Sequence, residues 1–351
     1  MQGEIKIATI AVEVVRLTAI VAAANALASC AGNQSALDAA GIQSERLDNL
    51  WWLFFLICAV VYLIVIAVLI AAFVKTKRAD AATGPDLSPQ PLREKRLSNI
   101  VKGAVAVTAI LLFVLMAISF RTGRAINSLS QRPAPVSIKV TGHQWWWEIE
   151  YRNDDPSKDV LTANEIHIPV GQLIKLELQS NDVIHSFWLP NLHGKRDLIP
   201  NYPTTLYFEA DKPGTYWGQC AEFCGYQHAK MRFRVTAESP EDFENWIAAQ
   251  QQSSVQPSNE LQQRGEQIFL TTVCAQCHTI QGTPAGGKVG PNLTHIASRP
   301  YIAAGSLENT RDHLAKWVAD AQSVKPGIKM PMNTYSQEDL NALIEYLESL
   351  K

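Results

Sequence analysis

The sequence predicts a multi-domain membrane protein in three parts: a two-helix transmembrane hairpin, a Greek-key β-barrel and a small all-α domain. Three observations carry this. Two long uncharged runs lie in the first third of the 351 residues. Period-two alternation of β-forming residues sets in near Val136, and capped helical patterns close the chain. A net charge of −2 gives no basic surface for a nucleic-acid partner. Six cysteines fall at positions 30, 58, 220, 224, 274 and 277. The last four form two close pairs, which reads as metal or cofactor attachment before it reads as a disulfide framework.

In chain order, residues 1–29 hold a short apolar run, Leu17 to Ser29, behind Lys6 and Arg16 and ahead of Cys30. This resembles a bacterial lipoprotein signal peptide, whose cleavage would leave Cys30 as a lipidated N-terminus. Residues 30–125 then comprise an outer segment and two spans, at about 51–74 and 100–120. Trp51 to Val74 is 24 residues without a charge, long enough to cross a bilayer as a helix. Trp51 and Trp52 suit the membrane–water interface. Cys58, within this run, reads as a buried small hydrophobe. Gly103 to Phe120 is the second uncharged run, with Lys102 and Arg121 at its ends. The Pro-rich loop between the spans carries Lys75, Lys77, Arg78, Arg93, Lys95 and Arg96. Basic loops mark the cytoplasmic side, so everything after Arg121 is placed outside.

Residues 130–250 form the β-domain. Ile138 to Val140 leads into Trp145 to Tyr151; Asn164 to Val170 and Ile174 to Leu178 flank Gly171-Gln172 and read as a hairpin. Thr205 to Glu209 and Met231 to Val235 continue a series expected to close as a sandwich or barrel. Alternation with Arg232 and Arg234 turns Met231 inward. Ser239-Pro240-Glu241-Asp242 opens a helix with a cap residue and Pro in the first turn. Residues 250–258, rich in Gln and Ser, read as a linker. In 259–351, Asn259 to Thr272 is expected to be helical. Ser336 caps a further helix with a Leu340, Leu343, Ile344 and Leu347 stripe. His295 and His313 are expected at the surface.

Two stretches carry chemistry. The first runs from Cys220 to Met231: two cysteines, His228 and Met231 within twelve residues, with His185 upstream. Thiolate, thioether and imidazole ligands favour copper. A mononuclear blue-copper site needs one Cys, so the second thiolate suits a dinuclear centre with two sulfur bridges and one His per metal. A disulfide would leave His185, His228 and Met231 without a role. The second is Cys274-Ala275-Gln276-Cys277-His278, the C-x-x-C-H haem-attachment sequence: the thiols bond the porphyrin and His278 becomes the proximal iron ligand. A soft sixth ligand favours reduced iron. Of five Met residues, Met1 and Met116 are excluded by position and Met231 is taken by copper. Met330 and Met332 remain.

The pattern H-x34-C-x3-C-x3-H-x2-M, with Glu222 between the cysteines, resembles the CuA motif of cytochrome c oxidase subunit II. Residues 259–351, with Gly290-Pro291-Asn292-Leu293, resemble a class I cytochrome c. Together they look like subunit II of a caa3-type oxidase. The resemblance implies a cupredoxin-like barrel holding two copper ions through His185, Cys220, the Glu222 carbonyl, Cys224, His228 and Met231. It implies a Mg²⁺ or Mn²⁺ ion shared with subunit I through the Glu222 carboxylate, and one haem c on Cys274, Cys277 and His278. The family's axial Met commonly precedes a Pro, which favours Met330 in Lys329-Met330-Pro331. Gly142-His143-Gln144-Trp145-Trp146-Trp147 matches the family's aromatic segment, with Trp145 as the electron-accepting ring.

The implied function is electron transfer from haem c to CuA and on to subunit I, for oxygen reduction to water coupled to proton translocation. The partners are subunit I, subunit III, membrane lipid and an external donor such as a cytochrome c or cytochrome bc complex. The location is the bacterial inner membrane, multi-pass, with both metal domains on the periplasmic side. No catalytic oxygen-reducing site is expected in this chain. Family members place a carboxylate at the cytoplasmic start of the second span; here it reads Arg96-Leu97-Ser98-Asn99-Ile100, and the nearest acid is Glu94. An electron carrier to a nitric oxide or nitrous oxide reductase and a copper-delivery protein are the other readings; the latter would need no haem.

Overall fold

An uninterrupted apolar run in lipid satisfies its own backbone only as a helix. Both runs do so in the computed structural model, which describes residues 32–76 and 91–351 together with Arg16. Helix α1 spans Ile42–Thr76 and α2 spans Pro91–Asn127. Their 35 and 37 residues make rods of roughly 50–55 Å, longer than the uncharged runs, because the helical ladder continues through the charged flanks. Arg93, Lys95 and Arg96 therefore stand on the first turns of α2, not in a loop. Cys58 lies on the outer face of α1, within the uncharged run. The signal-peptide segment, Cys30 and the remaining loop residues 77–90 lie outside the described residues. Residues 45–131 form one compact unit; the described residues before and after them form another.

In that second unit, alternating side chains build two five-stranded sheets. The first contains β1 (Val136–His143), β2 (Trp146–Arg152), β3 (Val160–Ala163), β5 (Ile174–Ser180) and β8 (Thr204–Phe208), in the order β3-β2-β1-β5-β8. The second contains β4 (Glu165–Pro169), β6 (His185–Trp188), β7 (Lys195–Leu198), β9 (Gly214–Cys220) and β10 (Arg232–Glu238), in the order β4-β10-β9-β6-β7. β1–β5 and β4–β10 pair in parallel, and the other neighbours are antiparallel. This is the cupredoxin-like barrel. The Gly171-Gln172 turn does not make a hairpin: β4 and β5 belong to different sheets, so the turn, with Gly171 at φ +74°, carries the chain across the core.

Inward positions of both sheets supply that core. Ile138, Val140, Trp147, Ile149, Leu176, Phe187, Phe208, Phe233 and Val235 are fully buried. Trp147 meets Phe187 and Phe233 edge to face at 5.9 and 5.5 Å between ring centroids, a favoured aromatic geometry. Helix α3 (Pro240–Gln250) starts where Ser239 accepts the Asp242 N–H.

The all-α domain follows: α4 (Glu260–Thr271), α5 (Cys274–Cys277), a small hairpin β11 (Tyr301–Ile302) and β12 (Leu307–Glu308), α6 (Arg311–Ala319) and α7 (Gln337–Ser349). Helices α4 and α7 cross at Gly265, where a Cβ would lie 2.1 Å from the Ala342 carbonyl oxygen. Glycine is the residue that permits that approach. The stretch 250–258 is not free coil, because Ser254 is buried and donates to Gln281 O through both its N–H and its hydroxyl. Nor is His295 at the surface. It is buried, with Nδ1 at 2.9 Å from Lys351 O and Nε2 at 3.2 and 3.1 Å from the Gln250 and Gln252 carbonyls. His313 is half-buried against Glu308 O.

Candidate metal centre and adjoining cavity

Strand pairing assembles the metal ligands. Cys220 ends β9, and Phe187 of β6 lies opposite it, so His185 at the start of β6 comes within reach of its sulfur. The Cys220 N–H donates to Met231 O at 2.9 Å, closing the base of the 220–231 loop and aiming Met231 inward from the start of β10. The two sulfurs stand 3.8 Å apart, far beyond the roughly 2.05 Å of a disulfide.

Each sulfur has its own imidazole: Cys220 Sγ is 3.8 Å from His185 Nδ1, and Cys224 Sγ is 3.7 Å from His228 Nδ1. Met231 Sδ lies 3.8 Å from Cys224 Sγ, and the Glu222 carbonyl oxygen 3.2 Å from Cys220 Sγ. Ligands bound to one ion at about 2.0–2.3 Å each fall at such mutual spacings. The donor set fits a pair of soft metal ions sharing two sulfurs. His185, Cys220, Cys224 and Met231 are buried, while the Glu222 side chain is half-buried. The sulfur–sulfur contact favours one thiolate in the pair: it is the main reason the Cys220 thiol is held well below its ordinary pKa, and the same contact pushes Cys224 up.

One residue of this centre had escaped the sequence reading. Asp182 accepts from His185 Nε2 at 2.8 Å and from the Gln144 main-chain N–H at 2.7 Å. Burial opposes charge on His185, yet the bonds to Asp182 and Cys220 outweigh it and raise the pKa. With Nε2–H committed to the carboxylate, Nδ1 is left as the ligand atom, the usual second partner of a metal-binding imidazole. The sequence signal is slight: an acid three residues ahead of a His in a turn.

Beside the centre lies a cavity lined mostly by apolar side chains. Cys274, Cys277, His278 and Met330 line it from the all-α domain; His143, Gln144, Trp145 and Trp146 line it from the barrel. The two cysteines are not paired in a disulfide. His278 Nδ1 donates to Pro291 O at 2.7 Å, leaving Nε2 as the available ligand atom. A Cβ on Gly290 would sit 2.5 Å from the His278 ring. The residues fit a covalently attached haem. Met330 is on the cavity wall, whereas Met332 is 66% exposed and not part of it. Trp145 is buried, and its Nε1–H donates to the Cys224 carbonyl at 2.9 Å. The aromatic ring thus touches both the cavity and the metal loop.

Residues 156–238 match the family described as cytochrome c oxidase subunit II, periplasmic domain, and residues 262–351 match cytochrome c. Cytochrome c oxidase subunit 2 of Alkalihalophilus pseudofirmus is 35% identical over 93% of this chain and 94% of its own. The protein of the same name from Bacillus sp. strain PS3 is 33% identical over 65% of this chain and 66% of its own. Among solved structures, the periplasmic domain of subunit II of cytochrome oxidase from Bradyrhizobium japonicum is 31% identical, covering 34% of this chain and 94% of that one, with a TM-score of 0.32.

Proposed function

Because the chain belongs to the cytochrome c oxidase subunit II family, we propose that it passes single electrons from a covalently bound haem c to a dinuclear copper centre. From there they continue to subunit I, where oxygen is reduced to water with proton translocation. The coarser statement stands by itself: this is an electron-transfer subunit of a haem-copper oxidase, with copper- and haem-binding domains. It is anchored by two apolar helices with those domains on the periplasmic side, and it works with subunit I.

When bound, the copper pair and the haem supply the one-electron redox chemistry. The chain supplies attachment, orientation and exclusion of water. Cys274 and Cys277 would tether the porphyrin, and the Pro291 carbonyl, by holding Nδ1–H of His278, leaves Nε2 free to bind the iron. Met330, on the cavity wall, would supply the second protein ligand to the iron. His185, Cys220, Glu222 through its carbonyl, Cys224, His228 and Met231 hold the copper ions, with Asp182 fixing the His185 ring. The half-buried Glu222 carboxylate would share a Mg²⁺ or Mn²⁺ ion with subunit I. Subunit III and an external cytochrome donor complete the proposed assembly.

One observation supports the route above all: Trp145 lines the cavity with the haem-attachment residues while its indole hydrogen-bonds the carbonyl of a copper ligand. The test is flash reduction of the haem in the intact complex. Haem oxidation should match copper reduction in rate, independent of protein concentration, and EPR of the oxidised state should show one electron shared over two coppers. Trp145→Ala should slow the step. Copper reduced ahead of the haem, or a mononuclear copper spectrum, refutes the route or the centre.

A further inference from the structure

The loop that carries Met330 is bonded directly to the loop that carries the copper ligands. Gln227 Nε2 donates to Pro326 O at 2.7 Å, and Lys230 Nζ to Val324 O at 2.6 Å. Between these two bonds lies Lys325, only 2% exposed. Its Nζ donates to Trp145 O at 2.8 Å, to Lys230 O at 2.9 Å and to Ala303 O at 3.4 Å. The three acceptors come from three segments: the aromatic turn after β1, the copper loop between His228 and Met231, and the β11–β12 turn of the all-α domain.

Lysine is almost never fully buried unless paired, and burying its head is costly unless its N–H groups find acceptors. Here the N–H groups of Nζ, two on the neutral amine and three on the ammonium, face three carbonyl acceptors. A lysine serving solubility would extend into water, and one bracing a single domain would bond within it. Lys325 instead joins its own domain to two parts of the other, and both of those parts flank the electron route.

We propose that Lys325 is a positioning residue for electron transfer within this chain: its Nζ clamps the haem-bearing domain onto the copper loop and the Trp145 turn. The clamp holds the haem cavity at one fixed separation from the copper ligands. It acts through hydrogen bonds, from the wall of the cavity that the haem would fill. The inference rests on the haem-to-copper route proposed above.

Flash reduction of the haem in the intact complex, comparing wild type with Lys325→Met and Lys325→Arg, tests it. Lys325→Met keeps the length and removes every donor. It should slow haem-to-copper transfer by about tenfold or more, with the haem optical spectrum and the copper EPR unchanged. Lys325→Arg again presents several N–H groups and should restore the rate to within about threefold of wild type. Transfer at the wild-type rate in Lys325→Met overturns the clamp. So does an arginine variant as slow as the methionine one, or a methionine variant that loses either spectrum, which would make Lys325 a fold support of that site. A wild-type complex with no haem-to-copper transfer refutes the route itself, and the clamp with it.

Discussion

Removing the Asp182 carboxylate should loosen copper without dismantling the ligand set. Asp182 Oδ1 accepts from His185 Nε2 at 2.8 Å and from the Val183 N–H at 2.7 Å, and Oδ2 from the Gln144 N–H at 2.7 Å. Loss of such a partner behind a metal-bound imidazole typically costs 10–100-fold in metal affinity, about 1.4–2.7 kcal/mol. Asp182→Ala also strands the Gln144 N–H, a further stability loss of about 1–3 kcal/mol. Asp182→Asn keeps an oxygen acceptor but drops the charge. Hydrogen bonds to ionised acceptors are roughly twice as strong as neutral ones, so the Asn variant should lose about half as much binding free energy as the Ala variant. Copper retention against a competing chelator, followed by EPR, measures the first quantity; thermal unfolding of the copper-free chain measures the second. There is a rival means of holding the ring. A Cβ on Gly142 would lie 2.8 Å from His185 Cδ2, so β1 packs tightly against the imidazole. Wild-type copper retention in both variants would mean that this packing sets the ring orientation and the carboxylate argument is wrong.

Met330→Ala should abolish the sulfur-to-iron charge-transfer band of the haem while Met332→Ala keeps it, because Met330 lines the cavity and Met332 is exposed; the reverse spectra move the ligand to Met332. A pH dependence follows from Lys325, where burial, aided by Lys230 and opposed by Cys224, lowers the pKa to about 7 from about 10.4 in an unfolded chain. The folded state therefore binds fewer protons between those values, so the contribution is complete above about pH 10 and lost as pH falls toward 7, with a slope of up to about 1.4 kcal/mol per pH unit. Denaturant unfolding of the copper-free chain between pH 7 and 9.5 should show this slope in wild type and not in Lys325→Met; equal slopes contradict the burial argument.

The legible parts of the chain were those where one local pattern decides the outcome. Uncharged runs had to be helices, Ser239, Asn259 and Ser336 had to cap, and two thiols four apart on one loop meet in the fold. What escaped depended on which segments meet in space. Gly171-Gln172 has the chemistry of a hairpin turn, yet the partners of β4 and β5 are chosen by inward faces far along the chain. His295 has no local partner because its acceptors are the carbonyls of Gln250, Gln252 and Lys351. Lys325 has no local signal, since a lone lysine is buried only when another domain supplies the carbonyls. Asp182 was hidden for a simpler reason: acids in turns are common, and only the folded strand shows its oxygen on the far nitrogen of a ligand.

The linker invites a picture of a haem domain swinging on a tether, with local concentration governing encounter. The contacts argue for a seated domain. Arg299 of the all-α domain is buried, donates to Asn292 O at 2.8 Å, and faces Glu165 of β4 at 3.6 Å across the boundary. Tyr301 meets Trp217 of β9 edge-on at 4.8 Å, and the Arg232 N–H donates to Ala304 O. Buried charges make poor transient contacts, because each undocking and redocking must hydrate and strip them again. A surface meant for repeated encounter keeps its charges at a hydrated rim, where they steer approach and respond to salt. Here the boundary holds Lys325 and Arg299 out of water, and even the tether is bonded down through Ser254 and the Gln250 and Gln252 carbonyls. If electrons cross this boundary by the proposed route, fixed distance and not diffusion should set the rate, and raising ionic strength in the flash-reduction assay should leave it unchanged; a rate that falls with salt would contradict the seated domain.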